Sequence, residues 1–175
     1  MRFMLLAFFL MSSAFAADIY SVKEKAVGGA NYEMSDLKGK VVLIVNIASQ
    51  CGYTSQLEKL ETLFLRYKAQ GLVVLGVPTN DFGGQTPEDD KGIQQFCSKN
   101  YSVTFPLLTK KTIQGKEKRE LYKILTSDKK FPGEVDWNFE KFLINKKGEI
   151  VARMKSKIDP LDKDLTSKIE AELKN

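Results

Sequence analysis

The amino-acid sequence predicts a single α/β domain in which helices flank both faces of a mixed β-sheet. Two apolar runs, residues 41–46 and 72–77, lack polar alternation, which is typical of central strands buried on both faces. An amphipathic segment between them predicts a parallel β-α-β unit with a right-handed crossover. Hairpins predicted before and after this unit make the sheet mixed. A chain of 175 residues is long enough to bury one full core.

Turn residues and helical periodicity predict the first hairpin and the first helix. Residues 19–40 alternate weakly and contain Gly28-Gly29, which predicts a β-hairpin before the first central strand. Residues 54–70 predict a helix, because apolar side chains recur on one face at helical spacing: Leu57, Leu60, Phe64 and Tyr67. Acidic residues early and basic residues late suit the helix dipole, and Gly71 predicts the end of the helix.

A loop over residues 78–85 and a second helix over 87–99 are predicted after the second central strand. Thr86 has the place of a helix cap and Pro87 that of the first helical residue. The apolar side of this helix carries Ile93, Phe96 and Cys97. A short extended segment, 103–108, and a short helix, 121–125, follow.

The C-terminal part of the chain predicts a hairpin and a final helix. Residues 142–144 and 150–152 flank a turn at Gly148. Asp159 is predicted to cap the last helix, whose apolar stripe is Leu161, Leu165, Ile169 and Leu173. The sequence contains no repeat or linker, so these elements belong to one domain.

The first residues of the chain have the composition of a secretory signal peptide. Arg2 precedes an apolar run over residues 3–11, and Ala14-Phe15-Ala16 forms a small-residue cleavage site. The run is too short to span a membrane. We therefore expect residues 1–16 to be a signal peptide and residues 17–175 to be an exported domain, either periplasmic or secreted.

Composition excludes several kinds of site. The chain has no histidine, so a Ser-His-Asp triad, a Cys-His dyad and a histidine-liganded metal are impossible. Its two cysteines are too few for an all-cysteine metal site. The net charge is +5, but no nucleic-acid motif accompanies the lysines, which we interpret as solvated surface. The sequence predicts neither a metal nor a nucleic-acid partner.

Cys51 lies where the first central strand gives way to a helix. Ligands of open α/β sheets bind outside the carboxyl ends of the strands. The following backbone N–H groups and the helix dipole can stabilise a thiolate there without a histidine. Thr54 occupies the position at which a C-x-x-C motif would have its second cysteine. The pattern therefore predicts a single reactive thiol rather than a dithiol exchange centre or a metal chaperone.

A permanent disulfide between Cys51 and Cys97 is the alternative interpretation of the two cysteines. An even number of cysteines in an exported protein is typical of structural disulfides. The position of Cys51 at the ligand-binding edge and that of Cys97 inside a helix favour reactive thiols. The number of cysteines and the expected export of the protein leave both interpretations open, a permanent disulfide and reactive thiols.

Four motifs stand in order along the chain: N-I-A-S-Q-C-G-Y-T, F-G-G-Q-T-P, F-C-S-K-N-Y-S-V-T-F-P and W-N-F-E-K-F-L-I. Together they resemble the glutathione peroxidase family, from about residue 19 to the last helix. The resemblance implies a thioredoxin-like fold. It also implies a catalytic set in which Cys51 is the peroxidatic thiol and Gln85, Trp137 and Asn138 are its partners.

The resemblance further implies that Cys97 is the resolving cysteine, as in the thioredoxin-dependent members of the family. Cys51 would be oxidised by a hydroperoxide to a sulfenic acid, and Cys97 would then displace water and form a disulfide. An external thiol would reduce that disulfide, with a thioredoxin-like protein as the first expectation and glutathione as the second. No bound cofactor is expected, and the cellular role would be antioxidant defence in response to oxidative stress.

Two departures from the family pattern concern the loop after the second strand. Thr79 stands where many members have cysteine, which leaves Cys97 as the partner of Cys51. Asp81 stands where members often have glutamine, and its carboxylate would disfavour a nearby thiolate, so we expect it to point outward. The short segment 126–136 lacks the insertion that assembles tetramers, which predicts a monomer.

The sequence thus predicts a thiol peroxidase for hydrogen peroxide and organic hydroperoxides. The alternative is an exported thioredoxin-fold binding module with a permanent disulfide.

Overall fold

A computed structural model describes residues 18–175, so the predicted signal peptide lies outside the described part of the chain. Three short 3-10 helices, Ile19–Ser21, Met34–Leu37 and Lys68–Gln70, accompany the main elements there. Those elements, in chain order, are β1 (Lys23–Lys25), β2 (Asn31–Glu33), β3 (Val41–Ile47), α1 (Gln56–Tyr67), β4 (Leu72–Pro78), α2 (Asp90–Tyr101), α3 (Glu120–Thr126), β5 (Lys141–Ile144), β6 (Ile150–Met154) and α4 (Lys163–Lys174).

The central sheet has the strand order β4-β3-β5-β6 and is mixed, as predicted. β3 and β4 are parallel, and all seven residues of β3 are buried. β5 runs antiparallel to β3 and to β6. The N-terminal hairpin, β1 with β2, forms a separate two-stranded sheet instead of extending the central one.

The register of β3 brings three chain segments to one edge of the sheet. The last residue of β3, Ile47, pairs with the last residue of β4, Pro78. Because β5 is antiparallel, its first residue, Lys141, pairs with Val45 near the same end of β3. The turn after β3, the loop after β4 and the segment before β5 therefore all meet at the carboxyl edge of the parallel pair.

Helices cover both faces of the sheet, which confirms the predicted layering. Alternate residues of β3 point to opposite faces. On one face Leu43 and Val45 pack in a core cluster with side chains of α1, α2 and α4, and both cysteines belong to this cluster. On the other face Val42 and Ile44 pack with side chains of α3.

The start of α2 differs from the prediction. The helix begins at Asp90 and ends at Tyr101, and its cap is Asp89, whose carboxylate accepts the N–H of Gly92 at 2.7 Å. Thr86 does not cap the helix, because its hydroxyl has no hydrogen-bond partner among residues 18–175. Its N–H donates to the side-chain oxygen of Asn80 at 2.8 Å, which holds it in the preceding loop.

The other two long helices are also shorter than predicted. α1 begins at Gln56 because the hydroxyl of Thr54 is bonded to Ala48, within the turn after β3. It ends as expected near Gly71, which adopts a left-handed conformation with φ of 104°. α4 is capped by Asp162 rather than Asp159, since the carboxylate of Asp162 accepts the N–H of Asp164.

Within residues 18–175, every helix is too short or too polar to span a membrane.

Candidate active site

Cys51 lies in the turn between β3 and α1, and the turn holds it by backbone and hydroxyl contacts. Its N–H donates to the hydroxyl of Thr54, and this hydroxyl donates to the carbonyl of Ala48, both at 3.0 Å. The N–H of Tyr53 points to the Cys51 sulfur at 3.5 Å. Cys51 is largely buried, with 9 % of the residue exposed to solvent.

The donor that serves the Cys51 sulfur is a turn amide rather than the first turn of α1. The N–H groups of Gln56 and Leu57 are used within the turn, by the carbonyls of Tyr53 and Thr54. The effect of a helix dipole decays within the first turn of the helix. The Tyr53 amide is therefore the closer stabiliser of a thiolate, and α1 contributes less than its sequence predicts.

Gln85 lies directly beside the residues that precede Cys51. Its carbonyl accepts the N–H of Gln50 at 2.9 Å and the hydroxyl of Ser49 at 3.2 Å. The loop reaches this position because Gly83 and Gly84 adopt φ values of 64° and 65°, which side chains other than glycine rarely allow. The loop after β4 is thus bonded to the Cys51 turn.

Asn138 joins this assembly from the segment before β5. It is fully buried, and its Nδ2 donates to the Oε1 of Gln85 at 3.0 Å. The contact engages the amide oxygen of Gln85, so the NH2 group of that side chain remains available as a donor. The Oδ1 of Asn138 has no hydrogen-bond partner among the residues that the structure describes.

Trp137 lies at the surface of the same edge. Its ring packs on Phe82 of the loop after β4, with 5.8 Å between centroids, and the residue is 39 % exposed. An ordinary core tryptophan would be buried. The exposure leaves this indole on the solvent side of the edge that Gln85 and Asn138 occupy.

Cys97 is held apart from this edge, inside α2. It is 2 % exposed, and both cysteines are free thiols. Burial, together with the negative charge of Glu88, raises the pKa of the Cys97 thiol to about 12. The same glutamate accepts the Ser49 hydroxyl at 2.5 Å, which links the loop just before α2 to the Cys51 turn.

Asp81 is bonded on the far side of its loop. Its carboxylate accepts the hydroxyl of Thr79 at 2.7 Å and the N–H of Ile113 at 2.6 Å. Ile113 packs in the core cluster on the opposite face of the sheet from Cys51. These donors hold the half-buried carboxylate in a hydrogen-bond network of its own instead of letting it point outward, which was the prediction.

Asn46 also belongs to this region, although no motif in the sequence assigns it a role there. It is a fully buried amide at the end of an otherwise apolar strand, and its Nδ2 donates to the carbonyl of Trp137 at 3.0 Å. The only sequence signal was the interruption of the apolar run, since a buried amide must find partners.

The comparisons with known proteins agree with one another. The family model described as Glutathione peroxidase matches residues 19–126. The glutathione peroxidase-like peroxiredoxin GPX5 of Chlamydomonas reinhardtii is 46 % identical over 145 residues, which are 82 % of this chain and 90 % of the relative. The glutathione peroxidase-like peroxiredoxin gpx1 of Schizosaccharomyces pombe is 45 % identical over 152 residues, which are 85 % of this chain and 96 % of the relative.

Solved structures extend the likeness to the fold. The crystal structure of T. cruzi GPX1 superposes with a TM-score of 0.72 at 31 % identity, covering 90 % of this chain and 97 % of that one. A thioredoxin family thiol:disulfide interchange protein from Chlorobium tepidum superposes with a TM-score of 0.67 at 16 % identity, covering 86 % and 92 %. The predicted thioredoxin-like fold is confirmed. The chain belongs to the glutathione peroxidase family, and it is a glutathione peroxidase-like peroxidase.

Proposed function

We propose that the protein reduces hydrogen peroxide and organic hydroperoxides through Cys51, with Gln85, Trp137 and Asn138 as its catalytic partners. One contact carries the proposal, the 3.0 Å hydrogen bond from Asn138 to Gln85. This bond joins two of the three partners, and one of them, Gln85, is itself bonded to Ser49 and Gln50, immediately before Cys51.

The chemistry needs one nucleophile and neutral donors. The Cys51 thiolate attacks one peroxide oxygen, the O–O bond breaks, and the departing oxygen takes a proton and leaves as water or an alcohol. Cys51 becomes a sulfenic acid. The NH2 group of Gln85 and the indole N–H of Trp137 can polarise the O–O bond without titrating. Asn138 keeps the Gln85 amide oxygen occupied and so orients its NH2 group.

Cys97 completes the cycle in this proposal. Its thiol attacks the sulfur of the Cys51 sulfenic acid, a disulfide forms, and the hydroxyl of the sulfenic acid leaves with the thiol proton as water. Because Cys97 is buried in α2, the helix must open locally before the two sulfurs meet. An external dithiol then exchanges with the disulfide and restores both thiols.

The reductant, the compartment and the assembly state follow as parts of the same proposal. The relatives named glutathione peroxidase-like peroxiredoxins favour a thioredoxin-like reductant over glutathione. The signal-peptide composition of residues 1–16 favours export, to a periplasm or to the outside of the cell. The short 126–136 segment favours a monomer.

Mass spectrometry of the reduced protein before and after one equivalent of hydrogen peroxide, with free thiols alkylated, tests this cycle. We expect both thiols to disappear together, a Cys51–Cys97 peptide to form, and a thioredoxin to reverse the bond. Thiols that oxidise only as slowly as free cysteine would overturn the proposal. A bond that forms but that thioredoxin leaves intact would favour the permanent disulfide instead.

We predict that Asp89→Ala speeds the formation of the disulfide. Loss of a helix cap destabilises a helix by about 1 kcal/mol, which corresponds to a roughly fivefold increase in the open population of α2. Stopping the reaction with acid at successive times and counting free thiols measures the rate. Asp162→Ala, which removes the equivalent cap of α4, should leave the rate unchanged. An equal rate for Asp89→Ala and the unmodified protein would mean that α2 need not open.

A further inference from the structure

We infer that Asn46 is a positioning residue of the peroxidase site, which holds the Trp137–Asn138 segment in place relative to Cys51. The inference rests on the proposed function and adds to it a residue that does not touch the peroxide. Asn46 lies in β3, the strand that leads directly into the Cys51 turn. The hydrogen bonds of Asn46 to residues 137–140, which we call the clamp, therefore tie this segment to the strand that leads into the Cys51 turn.

Asn46 uses both its side chain and its backbone for this clamp. Its Nδ2 donates to the carbonyl of Trp137, and its Oδ1 accepts the N–H of Glu140, each at 3.0 Å. Its backbone carbonyl accepts the N–H of Phe139 at 2.7 Å, and its backbone N–H donates to the carbonyl of Glu140 at 3.4 Å. Four bonds from one residue thus span the whole segment from Trp137 to Glu140.

The segment adopts a conformation that needs such a restraint. Phe139 has a φ of 64°, and a non-glycine residue in this left-handed region is strained. Strain of this kind persists only where the surroundings over-determine the backbone. Phe139 is fully buried, and its N–H is the donor of the shortest of the Asn46 contacts. The chain reverses at this residue and so delivers Asn138 to Gln85.

Other contacts hold the two ends of the segment, residues 136 and 140, and Asn46 contributes what these contacts do not. The buried carboxylate of Glu140 accepts the N–H of Asp136 at 3.1 Å and pairs with Arg153. These contacts anchor residues 136 and 140 but do not reach Trp137, Asn138 or Phe139. Without the Asn46 side chain, the Trp137 carbonyl and the Glu140 N–H lose their bonds to it, and only the two backbone bonds of residue 46 still hold the strained residues between the anchors. The bond from Asn138 to Gln85 then loses part of its fixed geometry.

The burial of Asn46 is consistent with a positioning role rather than a packing role. A buried amide is costly unless its polar atoms are satisfied, and a valine would suit the apolar strand better. The hydrogen bonds of the Asn46 side-chain oxygen and nitrogen both go to the segment before β5. Neither goes to the neighbouring strand β4.

A double-mutant cycle tests the inference, with the rate of Cys51 oxidation by hydrogen peroxide as the readout. We expect Asn46→Ala to slow this oxidation about tenfold to hundredfold, the range that a misplaced catalytic group produces. If Asn46 acts through Asn138, adding Asn46→Ala to Asn138→Ala changes the rate little further. Effects that multiply in the double variant would mean that Asn46 acts independently, and they would overturn the inference.

The single tryptophan gives a second readout that general destabilisation does not move. We expect the emission of Trp137 in folded Asn46→Ala to shift toward that of a solvated indole. The matched control is Asn145→Ala, because Asn145 is also a buried asparagine with both side-chain atoms bonded, but in the β5–β6 turn. The control should keep the emission and the oxidation rate of the unmodified protein, and unchanged emission in Asn46→Ala would contradict the clamp.

Two further measurements keep the inference falsifiable if Asn46→Ala does not fold. Asn46→Ser retains a small polar side chain that is too short to reach the Trp137 carbonyl, and it should show the same slowing. In the unmodified protein the N–H groups of Phe139 and Glu140 should exchange with solvent as slowly as those of β3. Fast exchange would show that no clamp exists. Slow oxidation of Cys51 in the unmodified protein would instead contradict the proposed function. In that case the Trp137 emission and the N–H exchange rates alone would test the clamp.

Discussion

Cys51→Ser should lower peroxide reduction at least about a thousandfold, to the uncatalysed background. A serine hydroxyl does not ionise at neutral pH, and the chain has no histidine that could act as its general base. Apart from the Tyr53 N–H, which a serine oxygen can also accept, the turn contacts of residue 51 use its backbone, so the fold should survive the substitution. Consumption of hydrogen peroxide, followed with excess thioredoxin and its reductase, measures the loss.

The matched control for this experiment is the same assay under single-turnover conditions with Cys97→Ser, which keeps Cys51. That variant should consume one equivalent of peroxide at the rate of the unmodified protein. Peroxide reduction that persists in Cys51→Ser would rule out Cys51 as the nucleophile. Family membership would then account for the fold, and a side chain other than Cys51 would have to carry the activity.

Cys97→Ser should abolish repeated turnover with thioredoxin while leaving the first oxidation of Cys51 intact. The sulfenic acid at Cys51 then has no internal partner and persists, or it oxidises further when peroxide is in excess. Trapping with a sulfenic-acid reagent before mass spectrometry measures its lifetime. Turnover of Cys97→Ser at the normal rate with thioredoxin would show that the reductant attacks Cys51 directly. Rescue by glutathione alone would identify a glutathione-dependent route.

The pH dependence of the disulfide step follows from the burial of Cys97. Its pKa is raised to about 12 in the folded protein, whereas an exposed thiol has a pKa near 8.5. Between these values the unfolded or locally opened state releases a proton that the closed state retains. The closed form of α2 is therefore stabilised by this thiol below about pH 8.5, and that stabilisation is lost as the pH rises toward 12.

We therefore expect disulfide formation to accelerate as the pH is raised from about 6 to 9, since the opened thiol ionises in this range. Rapid-quench measurements on protein with preformed sulfenic acid separate this step from the oxidation of Cys51. Cys97→Ser should also remove part of the alkaline loss of stability seen with the unmodified protein. A disulfide rate that falls as the pH rises would contradict local opening of α2 as the controlling step.

Local sequence signals were sufficient to predict the helices and strands, but they were insufficient to predict the residues at which the helices begin. The apolar run of β3 and the periodic face of α1 predicted a buried strand and an amphipathic helix, and both are present. The caps of α2 and α4 were assigned to Thr86 and Asp159, although Asp89 and Asp162 perform this role. More than one residue near each helix start could serve as the cap, and hydrogen bonds outside the helix decided among them. The bond from Thr86 to Asn80 is one such case.

The sequence by itself determined that a lone cysteine follows a buried strand, and that no histidine exists to activate it. Those facts depend only on neighbours along the chain and on composition. The resemblance implied that Gln85 and Asn138 serve Cys51, but only the tertiary structure decided which hydrogen bonds join Asn138, Gln85 and the Cys51 turn, and that Asn46 is bonded to the strained backbone at Phe139. These contacts join residues 53 and 91 positions apart, and they arise from the antiparallel return of β5 to the edge of β3. Side-chain bonds of this range have no periodic signature, because they depend on strand order and register rather than on local propensity.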